Sequence, residues 1–341
     1  MKILLTVDPE IPVPPVFYGG VERLVDGLID EYTKQGHQVY LLAHKDSSQK
    51  NAVKIFRWKG TKSRNIRHTI LNSLKLAKVY HKIKPDIIHS FSRLLYLYPV
   101  MFTSKVPFVM TYGRFISKKS TALACFLGGK RMNFTSAAGH MLNHLKKNKH
   151  KFMPIYNFTL TDYFVPDNNI EKEYLMFLGR IEDIKGTKEA VDAALAANSK
   201  LIIAGNIQPG HDDYFNEKVK VHLENPLIEY IGTVNDEQKK YYLQRSKAFL
   251  FPIKWEEPFG IVMAEAMACG TPVIAFNRGS VPEVVSHGET GYIVDNVNEM
   301  AEAIIAIDKI DRENVRKDCV NRFSVEIITK QYLKLFKSLI K

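Results

Sequence analysis

Residues 255–276 read WEEPFGIVMAEAMACGTPVIAF, and the rest of the chain is organised around them. Two acids and a Pro-Phe-Gly turn open the stretch, a run of alanines and methionines predicts a helix that stops at Gly270, and Thr271-Pro272 leads into an apolar strand. A helix that begins after a glycine turn presents unpaired amides and the positive end of its dipole, which suits a phosphate. The amides of Phe259, Gly260, Ile261 and Val262 are the candidates. Glu257 stands before the turn and Glu265 eight residues later, about two helical turns on if both are helical. Two acids about an anion-binding turn suit a ligand with hydroxyls at both ends and phosphate between them, as in a nucleotide sugar. A solvated acid and a capping acid are the plain alternative.

A chain of 341 residues, 45% of them apolar, is long enough for two domains with a core each. No run of 18 apolar residues appears, and the opening MKILLTVDPE breaks at Asp8, so it reads as a buried strand and not as a signal peptide. Cys125, Cys269 and Cys319 are far apart and in no metal spacing, which fits reduced thiols in the cytoplasm. Charge divides the chain. Residues 1–158 hold 26 lysines and arginines against 8 acids, and residues 159–341 hold 22 against 28. A basic first half points to a polyanionic partner: nucleic acid, anionic lipid or a phosphorylated acceptor.

Strands alternate with helices throughout, the pattern of α/β domains built on parallel sheets. KILLTV, a proline-rich loop ending at Gly19-Gly20, the helix from Val21 to Gly36 and HQVYLLAH form a βαβ unit whose glycines let a phosphate or sugar approach the backbone. Residues 61–84 predict a basic amphipathic helix. Ile66, Ile70, Leu71, Leu74, Ala77 and Ile83 are expected inside, with Lys62, Arg64, Arg67, Lys75, Lys78 and Lys82 outside. Anionic-membrane binding and a solvated helix face are both open for it. His89, at the end of a strand, suits either a cleft lining or a core position. Residues 132–158 read as a strand, a loop, a helix and a final strand, and the polar segment 162–173 as a linker. In the second half, GRIEDIKG places Arg180 at a strand end and Lys185 before a helix, so two cations converge where a diphosphate would sit. No helix-turn-helix, zinc spacing or aromatic RNA-binding signature accompanies the basic half, so nucleic acid is not the expected partner.

The segments E-P-F-G-I-V-M-A-E, A-M-A-C-G-T-P-V-I-A and G-S-V-P-E-V-V resemble the E-x7-E region of glycosyltransferase family 4, and G-R-x-x-x-x-K-G and VPPVFYGGVER match further family motifs. The resemblance implies retaining, metal-independent enzymes with the GT-B fold: two Rossmann-like domains facing each other across a deep cleft. It implies domain bounds of 1–162 for acceptor binding, 163–322 for the nucleotide sugar, and a terminal helix, 323–341, crossing back to the first domain. Arg180 and Lys185 would neutralise a leaving diphosphate, Glu257 would hold sugar hydroxyls, Glu265 the ribose, and Val234 and Asn235 the base. Gly19 and Gly20 would lie between donor and acceptor, with Glu22 near the acceptor. Donor would be a UDP- or GDP-sugar and acceptor a glycan or lipid-linked molecule, with no cofactor; the charge of the first half suits an acceptor at the cytoplasmic face of a membrane. Two departures stand out. Relatives read T-x-H-G where this chain has Thr111-Tyr112-Gly113-Arg114, so Tyr112 is the candidate donor of the missing hydrogen bond. Phe158 replaces the glycine that follows Asn157 in the family's Y-N-G-V-D turn, which removes an expected backbone contact there. A catalytically silent nucleotide-sugar-binding protein and a GT-B nucleotide-sugar epimerase remain as alternatives.

Overall fold

The computed structural model describes residues 1–15, 19–114, 116–143, 145 and 151–340. The chain forms two compact units, Met1–Asn157 with Val325–Lys341, and Phe158–Ser324. Each is a parallel sheet with helices packed on it, a Rossmann-like α/β unit.

In unit 1 the elements run β1 (Lys2–Thr6), α1 (Gly20–Lys34), β2 (Gln38–Ala43), β3 (Lys54–Arg57), α2 (Ile66–Ile83), β4 (Ile87–Ser90), α3 (Tyr98–Thr103), β5 (Phe108–Tyr112), α4 (Lys118–Gly128), β6 (Met132–Ser136) and β7 (Phe152–Pro154). The strand order is β3-β2-β1-β4-β5-β6-β7. Continuous apolar runs such as KILLT and FVMTY form these strands because both faces of a parallel sheet are covered. The helix expected between β6 and β7 falls mainly on residues outside those described.

Unit 2 runs β8 (Tyr174–Leu178), α5 (Thr187–Ala196), β9 (Leu201–Ala204), α6 (Asp212–Lys218), β10 (Ile228–Tyr230), α7 (Asp236–Arg245), β11 (Ser246–Phe251), α8 (Ile261–Ala268), β12 (Val273–Phe276), α9 (Val281–Val284), β13 (Gly291–Val294), α10 (Val297–Ile305) and α11 (Arg312–Phe323). Its sheet order is β10-β9-β8-β11-β12-β13. The final helix, α12 (Val325–Leu339), belongs to unit 1 and packs on α1.

Two expectations are corrected. The chain passes between units at Asn157/Phe158, not in the polar segment 162–173. Phe158, Thr159, Thr161 and Phe164 are buried in unit 2. The Thr159 amide donates to the Phe323 carbonyl at 2.9 Å, and the Arg316 guanidinium donates to the carbonyls of Thr161, Phe164 and Ala268. Polar composition therefore hides a segment fixed by backbone hydrogen bonds.

The second correction concerns α2: Lys62, Arg64, Arg67, Lys78 and Lys82 are exposed as expected, but most of the apolar residues expected inside are exposed too. Its buried residues are Thr69, Asn72, Ser73, Leu76 and Val79, whereas Ile66, Ile70, Leu71 and Leu74 are exposed. Burying polar groups costs little when every hydrogen bond is made. Asn72 accepts from the Gly60 amide at 2.8 Å and donates to its carbonyl at 3.1 Å. Ser73 and Thr69 donate to carbonyls one turn back.

Candidate active site

The strand order of unit 2 reverses direction between β8 and β11, the place where open α/β sheets bind ligands beyond their strand C-termini. From β8 the chain passes Gly179 to Arg180 and the turn at 183–185; from β11 it passes 252–260 into α8. The two loops touch at backbone level. Gly186 has φ 77°, and a Cβ there would stand 1.9 Å from the Pro252 carbonyl oxygen, so glycine is required by both backbone and space. Lys254 fastens the pair: its amide donates to Ile184 at 2.9 Å and its ammonium to Asp183 and Glu189 at 2.5 and 2.8 Å.

This brings Lys185 Nζ within 2.5 Å of Glu257 Oε2, and Trp255 Nε1 donates to the same oxygen at 2.9 Å. The Lys185 ammonium also lies 5.2 Å from the centre of the Trp255 ring. Gly279, in the loop after β12, presses on the Glu257 loop. It has φ 54°, and a Cβ there would meet Glu257 N at 2.4 Å and O at 2.6 Å. The Ser280 amide donates to the Glu257 carbonyl at 3.1 Å. Arg180, the second sequence-predicted cation, pairs with buried Glu182 at 2.8 Å.

Helix α8 starts at Ile261, so Glu257 sits in the loop ahead of it and the two glutamates are not on one helix. Gly260 (φ 71°) is its N-cap and no side chain caps it. The first amides of α8, those of Ile261 and Val262, belong to half-buried residues at this uncapped end. The ring of Phe259 is buried on Phe323, and Ser280 Oγ donates to the Phe259 carbonyl at 2.8 Å, which anchors the turn. Glu265 is buried. Its Oε1 takes Lys239 Nζ at 2.5 Å, while its Oε2 has no hydrogen-bond partner among the described residues.

Lys239 was not legible in the sequence: it also pairs with Asp236 at 3.2 Å and lies 4.9 Å from the Phe164 ring centre. Its only local signal is its place one turn into α7. Asn235 caps that helix. Its side chain accepts from the Gln238 amide at 2.9 Å, and its own amide donates to Gln238 at 3.0 Å. A capping box thus uses much of the polar capacity expected to read a base. Val234 beside it is half-buried.

In unit 1 the reversal lies between β1 and β4. Gly19 is the N-cap of α1 and Gly20 its first residue. A Cβ on Gly19 would meet Pro15 at 2.7 Å and Glu22 Oε2 at 3.0 Å. Glu22 is buried, which raises its carboxyl to about 7, with Asp8 and Glu10 adding to the rise. Asp8 accepts from the Arg93 amide and from Arg114 Nη2, both at 2.9 Å. His89 is a core residue. It is fully buried, Nε2 is 2.8 Å from Thr111 Oγ1, and its ring packs on Phe91, Tyr332 and Phe336. Tyr112 is nearly buried and stacks on Phe134, with Tyr98 and Cys125 as its electrostatic neighbours.

Residues 161–322 match the family described as glycosyl transferases group 1, and residues 18–120 match glycosyltransferase family 4. The fold is shared with solved glycosyltransferases. The Anabaena protein HepE, solved with UDP and glucose, superposes with a TM-score of 0.78 at 18% identity, over 99% of this chain and 100% of that one. The chain has the GT-B fold, with a glycosyltransferase family model matched in each half. The group 1 match takes in Arg180, Lys185, Val234, Asn235, Glu257 and Glu265 of the GT-B chain; the family 4 match takes in Gly19, Gly20, Glu22 and Tyr112. Among curated proteins, it is 24% identical to the N-acetyl-alpha-D-glucosaminyl L-malate synthase of Bacillus anthracis, over 78% of each chain. It is 27% identical to the capsular polysaccharide biosynthesis glycosyltransferase CapM of Staphylococcus aureus, over 62% of this chain and 55% of CapM. The chain spans about half the length of several curated relatives that it matches.

Proposed function

We propose that the chain transfers a sugar, with retention, from a UDP- or GDP-linked donor to a glycan or lipid-linked acceptor in polysaccharide biosynthesis. The observation that carries this reading is the meeting of Lys185 and Glu257 at the strand reversal of unit 2, beside the uncapped start of α8. In this reading the diphosphate takes the Lys185 and Arg180 cations and the free amides of Ile261 and Val262, which stabilise the charge that develops as the bond to the sugar breaks. Glu257, released from Lys185 by the phosphate, holds sugar hydroxyls. The unpartnered Glu265 Oε2 accepts from a ribose hydroxyl, and Val234 with Asn235 borders the base. The bond from the anomeric carbon to diphosphate oxygen breaks, the bond to the acceptor oxygen forms on the same face, and the acceptor proton passes to the leaving diphosphate. Gly19 and Gly20 lie between donor and acceptor, and Glu22 serves the acceptor. Arg180 and Lys185 supply the positive charge, so the reaction is metal-independent and needs no cofactor.

A second reading, a silent nucleotide-sugar-binding protein, is favoured by Tyr112. It borders the place where the family's T-x-H-G histidine is missing, and its ring is stacked on Phe134. One experiment separates the two. Binding and hydrolysis are measured over a panel of UDP-, GDP-, ADP- and dTDP-sugars, with and without EDTA. EDTA-resistant release of one nucleotide supports the transferase; tight binding without release, with any acceptor offered, supports the silent protein. If none of the panel binds, both readings fail.

A further inference from the structure

Among the described residues, the outward face of α2 carries apolar side chains that nothing covers. Ile66, Ile70 and Leu74 form one stripe along the helix, with Leu71 beside it; Ile66 is 70% exposed and Leu74 59%. Helix α2 packs on α3 and α3 on α4, and the pattern continues across them. Phe102 of α3 is 72% exposed, and on α4 Leu123 and Phe126 are exposed, Phe126 at 84%. Single exposed apolar residues are ordinary, but a run of them from three neighbouring helices marks an interaction surface.

Cations interleave with them. Arg67, Lys78 and Lys82 of α2, Lys105 after α3, and Lys118 and Lys119 of α4 are exposed. Lys75 is half-buried, its ammonium pKa lowered by burial and by crowding from Lys59, Lys78 and Lys82. Acids do not relieve that crowding: between Asp46 and Asp162 the sequence holds one acid, Asp86, against 22 lysines and arginines.

We propose that this face of unit 1 docks on an anionic lipid bilayer, its apolar side chains entering the acyl boundary while the surrounding lysines and arginines bind headgroup phosphates. Charge complementarity selects this occupant. A soluble polyanion would match the cations but leave Ile70, Leu74 and Phe126 against water. A second copy would bring like charge against like. None of these residues belongs to the donor site, so the surface stands apart from the transferase reading.

The test is flotation of the full chain with phosphatidylcholine vesicles, with and without phosphatidylglycerol, at low and high salt. The chain is expected to float only with the anionic vesicles, and less at high salt. K78Q/K82Q should weaken partitioning about tenfold or more, since each surface cation contributes to attraction by anionic lipid. I70S/L74S/F126S should weaken it by a similar factor, with unchanged thermal melts because these side chains face solvent. Failure of the native chain to float with anionic vesicles overturns the proposal. Binding that the serine variant keeps in full also overturns it, in favour of a polyanion site. A dimer that the serine variant dissolves, with no flotation, overturns it in favour of self-association.

Discussion

Glu257 is held by two groups with different jobs, the Lys185 ammonium and the Trp255 indole, both on Oε2. In the proposed mechanism Glu257 meets the sugar in the transition state, so E257Q should lower single-turnover donor cleavage by about 10²–10³-fold. Nucleotide binding and the melting temperature should change little. A variant that cleaves donor at the native rate would remove Glu257 from the mechanism. Gly279 tests the loop that carries this glutamate. Alanine there meets the strain of φ 54° and a contact of 2.4 Å with the Glu257 amide nitrogen. Gly288 is the control: φ is 79°, but nothing lies within 4 Å of its missing Cβ. Both G279A and G288A should lose about 1–2 kcal/mol from left-handed strain. Only G279A should also lose about 10²-fold in turnover through displacement of the carboxylate. Equal activities in the two would mean that the loop tolerates the shift.

At the scale of elements, α12 is tied to unit 1 through His89. The histidine bonds Thr111, whose Oγ1 is 2.7 Å from Thr135 and 3.4 Å from Tyr332 of α12, and its ring packs on Tyr332 and Phe336. Burial lowers the imidazole pKa to about 3 from its usual 6.5. As pH falls below 6.5 the unfolded chain takes up a proton that the folded chain refuses, so stability drops by about 1.4 kcal/mol per pH unit until about pH 3. Above pH 6.5 the histidine costs nothing. Denaturant unfolding of the native chain and H89F over this range should give curves that converge or cross as pH falls, because the variant lacks this slope. Parallel curves would mean that His89 is protonated in the fold.

The same scale shows why some elements were legible and others not. The strands, the Gly260–α8 turn and the Arg180–Lys185 loop are local patterns, and a local pattern survives in sequence. Lys239 reaches Glu265 across 26 residues, and nothing near either residue announces the pair. In helix α2 hydrophobicity does not track burial. Asn72 and Ser73 are inside since their hydrogen bonds are made, and Ile70 and Leu74 are outside against that pattern. His89 could be left open between cleft and core because its ring partners on α12 lie more than 200 residues away.

At the scale of the molecule, unit 2 is one continuous segment, Phe158–Ser324, while unit 1 is completed by Val325–Lys341 from the far end of the chain. Within that terminal segment Ile328, Tyr332, Leu333 and Phe336 are buried, and removing it would bare the apolar side of the sheet around His89 and Tyr32. The truncation at Ser324 should therefore unfold unit 1 and leave unit 2 standing. The two tryptophans report the units separately. Trp58 is buried in unit 1, its Nε1 donating to the Val7 carbonyl at 2.7 Å, whereas Trp255 lies beside the Lys185–Glu257 pair in unit 2. With W255F or W58F leaving one reporter at a time, truncation should red-shift the emission of Trp58 and lower its denaturation midpoint, because losing several buried large side chains costs far more than the net stability of a domain can absorb. Trp255 should keep its emission and midpoint. Nucleoside diphosphate binding should also survive, since Arg180, Lys185, Glu257 and Glu265 all come from unit 2. If both reporters fail together, the two units fold as one cooperative body, and the donor site depends on a helix that none of its own residues touches in sequence.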